Sequence, residues 1–275
     1  MTKRRRRLLK VGLPAGGVIV LAFTISLIVV LTSAAAPIRM HAQPRELYPH
    51  PRVSAPPPPH VVARLYSPFT GEPVRALKPV LAVKIDNIVD ARPQTGLQSA
   101  DLVYVIPVEG GLTRFMAVYS SRVPSVVGPT RSARESDLDI LRQFGRPGFA
   151  WSGATPHLVP FIERARLADL YALQVGGYYR VSYRAAPHNL YANPRVLLGE
   201  ARHASKARDI GFRFGPAPAG GRSMRSYTVH WSRPNWNGGT TFTLPGGKRM
   251  LFAQGQTWVV LAPDNHASFV NAAAV

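Results

Sequence analysis

Residues 37–60 hold eight prolines and end in "APPPPH". Proline fixes φ and removes a backbone donor, so such a stretch joins neither helix nor sheet and stays extended. At about 3.1 Å per residue it reaches up to ~75 Å as a semi-rigid spacer. Any packed core must therefore be built from the residues that follow, from about Val61 onward.

What precedes the spacer is equally restrictive. Residues 11–36 carry no charge, and the Val18–Leu31 stretch is almost wholly apolar. About 20 such residues span a hydrocarbon core. The preceding "MTKRRRRLLK" contains six basic residues and no acid, and positive charge holds its side of a span in the cytoplasm. The expectation is a single transmembrane anchor over 11–36, with a cytoplasmic basic tail over 1–10, a spacer over 37–62 and the rest outside the cell membrane. A cleaved signal peptide is the competing reading, because "SAAA" offers small residues for cleavage; Pro37 directly after it and the length of the apolar run favour the anchor.

The chain has 34 Lys+Arg against 14 Asp+Glu. Without the first ten residues the balance is still 28 against 14. Such an excess suits anionic lipids or cell-wall polymers. Nucleic acid is the other basic-protein partner, but no zinc-ligand spacing or aromatic–basic stripe supports it, and the anchor places the charge on the wrong side of the membrane. No nucleic-acid partner is expected. Cysteine is absent, which excludes disulfides, thiol catalysis, thiolate metal sites and a lipid-modified cysteine.

Beyond the spacer the pattern alternates. "KPVLAVKID" (78–86) and "DLVYVIPVEG" (101–110) read as buried strands, and "LTRFMAVYSS" (112–121) follows a Gly110-Gly111 hairpin turn. Helices are predicted over 136–145 with a Ser136 cap, over 156–169, and over 193–209, where Asn193 caps and Pro194 takes the first position. This makes 63–215 a mixed α/β (α+β) domain. "FGPAPAGGRS" reads as a linker, and 222–275 as a short β-rich domain with a hairpin at Pro245-Gly246-Gly247, its core filled by Trp231, Trp236 and Trp258. A unit that small is marginal alone and leans on the first domain.

No metal-binding, phosphate-loop, dinucleotide or nucleophile-elbow motif is present in the sequence; neither a cofactor nor a metal is expected. Chemistry-bearing residues sit instead in turns between apolar strands, where sites gather. In "VVGPTRSARESD" (126–137), Arg131 and Arg134 approach a helix start, where backbone N–H groups and guanidiniums together favour an anion. Arg92, Glu109, Arg114, His188 and Asn189 complete the set of candidate ligand-binding residues. The bland alternative keeps them as local ties: Glu109 to Arg114 across the hairpin, His188-Asn189 locking a turn, and Asp86, Asn87, Arg92 and Gln94 clasping a loop. Tyr178, Tyr179 and Tyr183 read as packing residues rather than a sugar platform.

"ARPQTGLQSADLVYVIPVEGGLTRFMAVY", "VGPTRSAR" and "APHNLY", in that order and spacing, resemble the YerB family of bacterial extracytoplasmic proteins, and "GQTWVVLAP" resembles the closing strand of its C-terminal domain. The resemblance spans about residues 64–263. It implies a mixed α/β domain followed by a smaller β-rich one on the outer face of the membrane, and no mechanism, the family being a domain of unknown function. Three departures stand out: no cysteine to lipidate where members are often lipoproteins, a shortened C-terminal domain consistent with a missing internal segment, and Val105 where an acid often follows the motif tyrosine.

Two functions follow as expectations. The first is a membrane-tethered binding or accessory module of the cell envelope, holding an anionic wall ligand or an envelope-assembly protein. The second is an envelope-directed hydrolase or transferase with Glu109 or His188 as general base, and Arg131 and Arg134 stabilising developing negative charge. Ser132 and Ser152 are nucleophile candidates with no base visible beside either.

Overall fold

The computed structural model describes residues 64–215 and 227–262; the expected anchor and spacer lie outside them. Among the described residues no helix is long and apolar enough to cross a membrane.

The centre is a sheet of six strands: β1 (Leu81–Asp86), β2 (Leu102–Pro107), β3 (Thr113–Tyr119), β4 (Gly148–Trp151), β5 (Ala168–Tyr171) and β12 (Thr257–Val260), in the order β12-β2-β3-β1-β4-β5. The β2–β3–β1 core is antiparallel, and β12, β4 and β5 add to it in parallel. β1 is central and buried along its whole length, which is why its sequence reads as a nearly continuous apolar run. Short pairs complete the strands: β6 (Tyr178–Arg180) with β7 (Leu190–Ala192), β8 (Phe214–Gly215) with β11 (Phe252–Ala253), and β9 (His230–Ser232) with β10 (Thr241–Thr243).

Helices cover both faces. α1 (Glu135–Leu141) and α2 (Val159–Arg164) bring Ile140, Leu141 and Ile162 against Ala82, Tyr104, Met116 and Phe149. On the other face, α3 (Pro194–Glu200) sets Leu197 against Leu81, Val83 and Ala150. Leu81, Val83 and Ile85 serve one layer, so Ala82, Lys84 and Asp86 turn to the α1 face by strand alternation.

Several expected boundaries shift. The helix predicted from Ser136 begins at Glu135 after Arg134 and gives way to a 3₁₀ turn over Arg142–Phe144. The one predicted over 156–169 is only Val159–Arg164, because Ala168 onward is spent as β5 beside β4. α3 starts as predicted, the Asn193 side chain accepting from the Arg195 and Val196 backbone N–H groups, but it ends at Glu200 instead of 209. His203 adopts a left-handed φ of 62°. The following residues hydrogen-bond sideways, Val80 N to Ser205 O and Ala207 N to Lys78 O, both 2.9 Å. Those bonds compete directly with helix continuation.

The aromatic expectation for the C-terminal residues is corrected. Trp231, Trp236 and Trp258 are 68%, 61% and 47% exposed. The local core is made by phenylalanines: Phe212 stacks on Phe252 at 4.8 Å between ring centroids, and Phe242 meets both edge-on. β12 does not remain with this cluster but forms an edge of the six-stranded sheet beside β2. The hairpin at Pro245-Gly246-Gly247 is present, closed by Leu244 N to Lys248 O at 2.8 Å.

Candidate functional site: a cation-rich cluster at the end of β1

The cluster grows from the last turn of β1. Lys84 and Asp86, two residues apart, both face α1, and each is fully buried. Lys84 Nζ donates to Asp137 Oδ1 at 2.6 Å, and Asp137 Oδ2 accepts from the backbone N–H of Arg134 at 2.7 Å. One buried carboxylate thus fastens the start of α1 to the middle of the sheet. Burial pulls the Lys84 ammonium below its ordinary pKa, opposed by its pairing with Asp137.

Asp86 is the hub. Its Oδ1 accepts from Asn87 N at 2.9 Å, and its Oδ2 lies 2.7 Å from His188 Nδ1 and 2.8 Å from Arg131 Nε. The Arg131 contact is an ion pair by distance and not an aligned hydrogen bond, since Nε is buried without a hydrogen-bond partner among the described residues. The loop carrying Arg131 is laid along β1 by its backbone: Asp86 N donates to Pro129 O, and Arg131 N to Lys84 O, each at 2.9 Å. With Nδ1 committed to Asp86, His188 leaves Nε2 without a hydrogen bond among the described residues.

Arg134 closes on Glu109, with Nε at 2.7 and 3.0 Å from the two carboxylate oxygens and Nη2 at 2.7 Å from one. The Arg134 hydrogen bonds hold the Glu109 carboxyl down at about 2, although it is 70% exposed. Glu109 therefore pairs with Arg134 rather than Arg114, and makes no hydrogen bond to His188 among the described residues. A carboxylate so easily ionised is a weak general base at neutral pH.

Arg114 is the cation left over. It stands opposite Asp86 in the β1–β3 register, and Nη1 donates to the backbone oxygen of Ser132 at 2.9 Å. Among the described residues, Lys84, Arg131 and Arg134 each have a carboxylate within ion-pair distance and Arg114 has none. Burial pushes its pKa down, repulsion from Arg134 and Arg131 pushes it further, and Asp86 and Glu109 oppose this from beyond ion-pair distance.

The remaining candidates are peripheral. Arg92 Nη2 donates to Asn87 O at 3.0 Å, while Gln94 Nε2 reaches Asp86 O and Asn87 Oδ1 at 3.1 and 3.0 Å, so the loop clasp forms. Asn189 is turned away from Asp86; its Oδ1 accepts from Arg180 and its Nδ2 donates to Val181 O, locking the turn that presents His188. Neither the Ser132 nor the Ser152 hydroxyl hydrogen-bonds His188 among the described residues. At the helix start the Arg134 N–H is already taken by Asp137 and is not available to an anion.

These features define an α/β sheet protein with a buried carboxylate hub and surplus positive charge at the end of its central strand. Residues 69–208 match the family described as "Protein of unknown function (DUF3048) N-terminal domain", and the chain belongs to that family. A candidate lipoprotein of Bacillus subtilis (strain 168), YerB, is 34% identical over 141 residues, a match covering 49% of this chain and 42% of that protein; the aligned part is thus less than half the relative's length. The crystal structure of YerB protein from Bacillus subtilis superposes with a TM-score of 0.57 at 20% identity, covering 73% of this chain and 97% of the other. That likeness establishes the shared fold.

Proposed function

We propose that the chain is a membrane-anchored, extracytoplasmic binding module of the bacterial cell envelope that holds an anionic ligand at Arg114, Arg131 and His188. Arg114 carries the proposal. A half-buried guanidinium with no carboxylate in ion-pair distance among the described residues, crowded by two more guanidiniums, is relieved by an incoming anion, and Arg makes its strongest contacts with carboxylate or phosphate oxygens. His188 Nε2 supplies a further contact. The envelope setting rests on the apolar run at 11–36 and on the name of the Bacillus subtilis relative as a lipoprotein. With no cysteine to acylate, this chain would use the apolar run instead.

The test is thermal stability of the full chain against envelope-derived anions such as sugar phosphates, glycerol phosphates and peptide carboxylates. A binding module gains several degrees from one class, and Arg114→Gln abolishes that gain. Equal behaviour of wild type and variant across the panel refutes the site.

A second reading, an envelope-directed hydrolase, is favoured by one observation. His188 Nδ1 is fixed on a buried carboxylate, with Nε2 unengaged among the described residues, the arrangement that orients a general base. In this reading Nε2 takes a proton from water as its oxygen bonds to the phosphorus of a phosphodiester, the bond to the leaving alkoxide breaks, and that proton passes from Nε2 to the alkoxide; Arg114 and Arg131 stabilise the developing anion, and Glu109 has no part. Hydrolysis of a chromogenic phosphodiester, abolished in His188→Gln while anion binding is only weakened, separates it from binding alone.

A further inference from the structure

On the α1 face of the sheet, Val259, Tyr104, Met116 and Lys84 form one row across β12, β2, β3 and β1. Lys84 belongs to the charged cluster; the other end of the row opens into a separate cleft of about 280 Å³. Its walls are apolar, with Ile140, Phe212, Phe242 and Val259 inside and Trp231 at the rim. That is close to the small end of ligand cavities, which combine apolar walls with a few placed polar groups.

Three polar groups are placed here. Gln143 and Tyr104 are both buried, and Gln143 Nε2 donates to the Tyr104 hydroxyl oxygen at 3.1 Å. Gln143 Oε1 is left without a donor, and the Tyr104 proton has no acceptor among the described residues. A vacant acceptor beside a vacant donor is expensive when buried and complements an amide, which offers N–H and C=O together. The third group is Arg233, whose Nε donates to Gly238 O at 3.0 Å and whose Nη2 donates to Trp236 O. These partners are uncharged backbone oxygens. Burial lowers the Arg233 pKa and Arg142 adds to that, while Tyr104 and Asp139 oppose it. A partly buried cation at the cleft wall, with no carboxylate in ion-pair distance among the described residues, favours an anionic ligand group.

We infer that this cleft binds an N-acylated apolar amino acid with a free carboxylate, the chemistry of a peptide C-terminus. The amide meets Gln143 and Tyr104, the carboxylate meets Arg233, and the apolar side chain lies among Phe212, Phe242 and Ile140. The cavity holds about one such residue, so the rest of a longer peptide leaves past Trp231.

The probe is N-acetyl-L-phenylalanine, titrated calorimetrically into the full chain at neutral pH. Saturable one-to-one binding is expected, weakened at least about tenfold when the probe is N-acetyl-L-phenylalaninamide, which lacks the charge, or 3-phenylpropionate, which lacks the amide. Arg233→Gln is expected to abolish the preference for acid over amide. Trp231→Ala, at an exposed rim position, weakens both probes without lowering the melting temperature. The comparison between probes needs no variant, so it stands even where Arg233→Gln disturbs its own loop. Equal affinity for acid and amide, equal affinity with and without the acyl amide, or no saturable binding would each overturn the proposal.

Discussion

Asp101 is a carboxylate that the fold ionises reluctantly. It opens β2, fully buried, with Oδ2 accepting from the backbone N–H groups of Ser120 and Ser121 at 2.7 Å each, so it clamps the end of β3 to the start of β2. Oδ1 has no partner. Burial raises its pKa from 3.8 to about 6, against the two backbone bonds that lower it. A folded pKa above the unfolded one means that the folded state holds the proton more tightly. The resulting stability is fully present below about 3.8 and is lost as pH rises through about 6. By linkage, the fold gains about 1.4 kcal/mol from this group between pH 8 and pH 5. Asp101→Asn removes the titration while keeping one oxygen for both backbone donors. Its new amide donors fall where Oδ1 was unpartnered, which costs about 1–3 kcal/mol and offsets much of the ionisation cost removed. The discriminating observable is therefore the pH profile. In urea unfolding followed by tryptophan fluorescence, with buried Trp151 as a reporter, wild type should gain about 1.4 kcal/mol relative to Asp101→Asn from pH 8 to pH 5. Other groups titrating in that window are common to both proteins. Parallel profiles would refute the reasoning.

Lys84→Met should lose about 3–5 kcal/mol, because it strands the buried Asp137, and the double change Lys84→Met/Asp137→Asn should recover part of it; denaturant midpoints measure both. Gly96→Ala should cost about 2 kcal/mol, since Gly96 has a φ of 88° and a Cβ there would stand 2.7 Å from Val126 O; a lowered melting temperature with unchanged far-ultraviolet dichroism is expected. Glu109→Gln should change stability by under about 1 kcal/mol despite its bidentate partner, because the carboxylate is largely exposed, and a loss several times larger would contradict that account.

The strands and one helix start were legible because their causes are local. The apolar runs of β1 to β3 and the Asn193-Pro194 cap are written in adjacent residues. The end of α3 was not, because it depends on Lys78–Val80 claiming the backbone of residues 205–207 from more than a hundred residues away. The cluster divides the same way. All of Glu109, Arg114, Arg131, Arg134 and His188 lie in or beside it, but the sequence alone offered Glu109 to the nearby Arg114, whereas the fold brings Arg134 there from 25 residues on. From sequence alone, Asp86 reads only as part of a loop clasp. Its signal was present: in "KPVLAVKID", Lys84 and Asp86 break an apolar strand two residues apart, hence on one face, and charges placed so are buried with partners.

The most direct test of the anion site is a titration of the full chain with inorganic phosphate, followed through arginine side-chain N–H signals by ¹⁵N NMR. The account predicts saturable shifts at Arg114 and Arg131, with the exposed Arg122 and Arg213 unmoved. Shifts spread evenly over exposed arginines, with Arg114 silent, would contradict it.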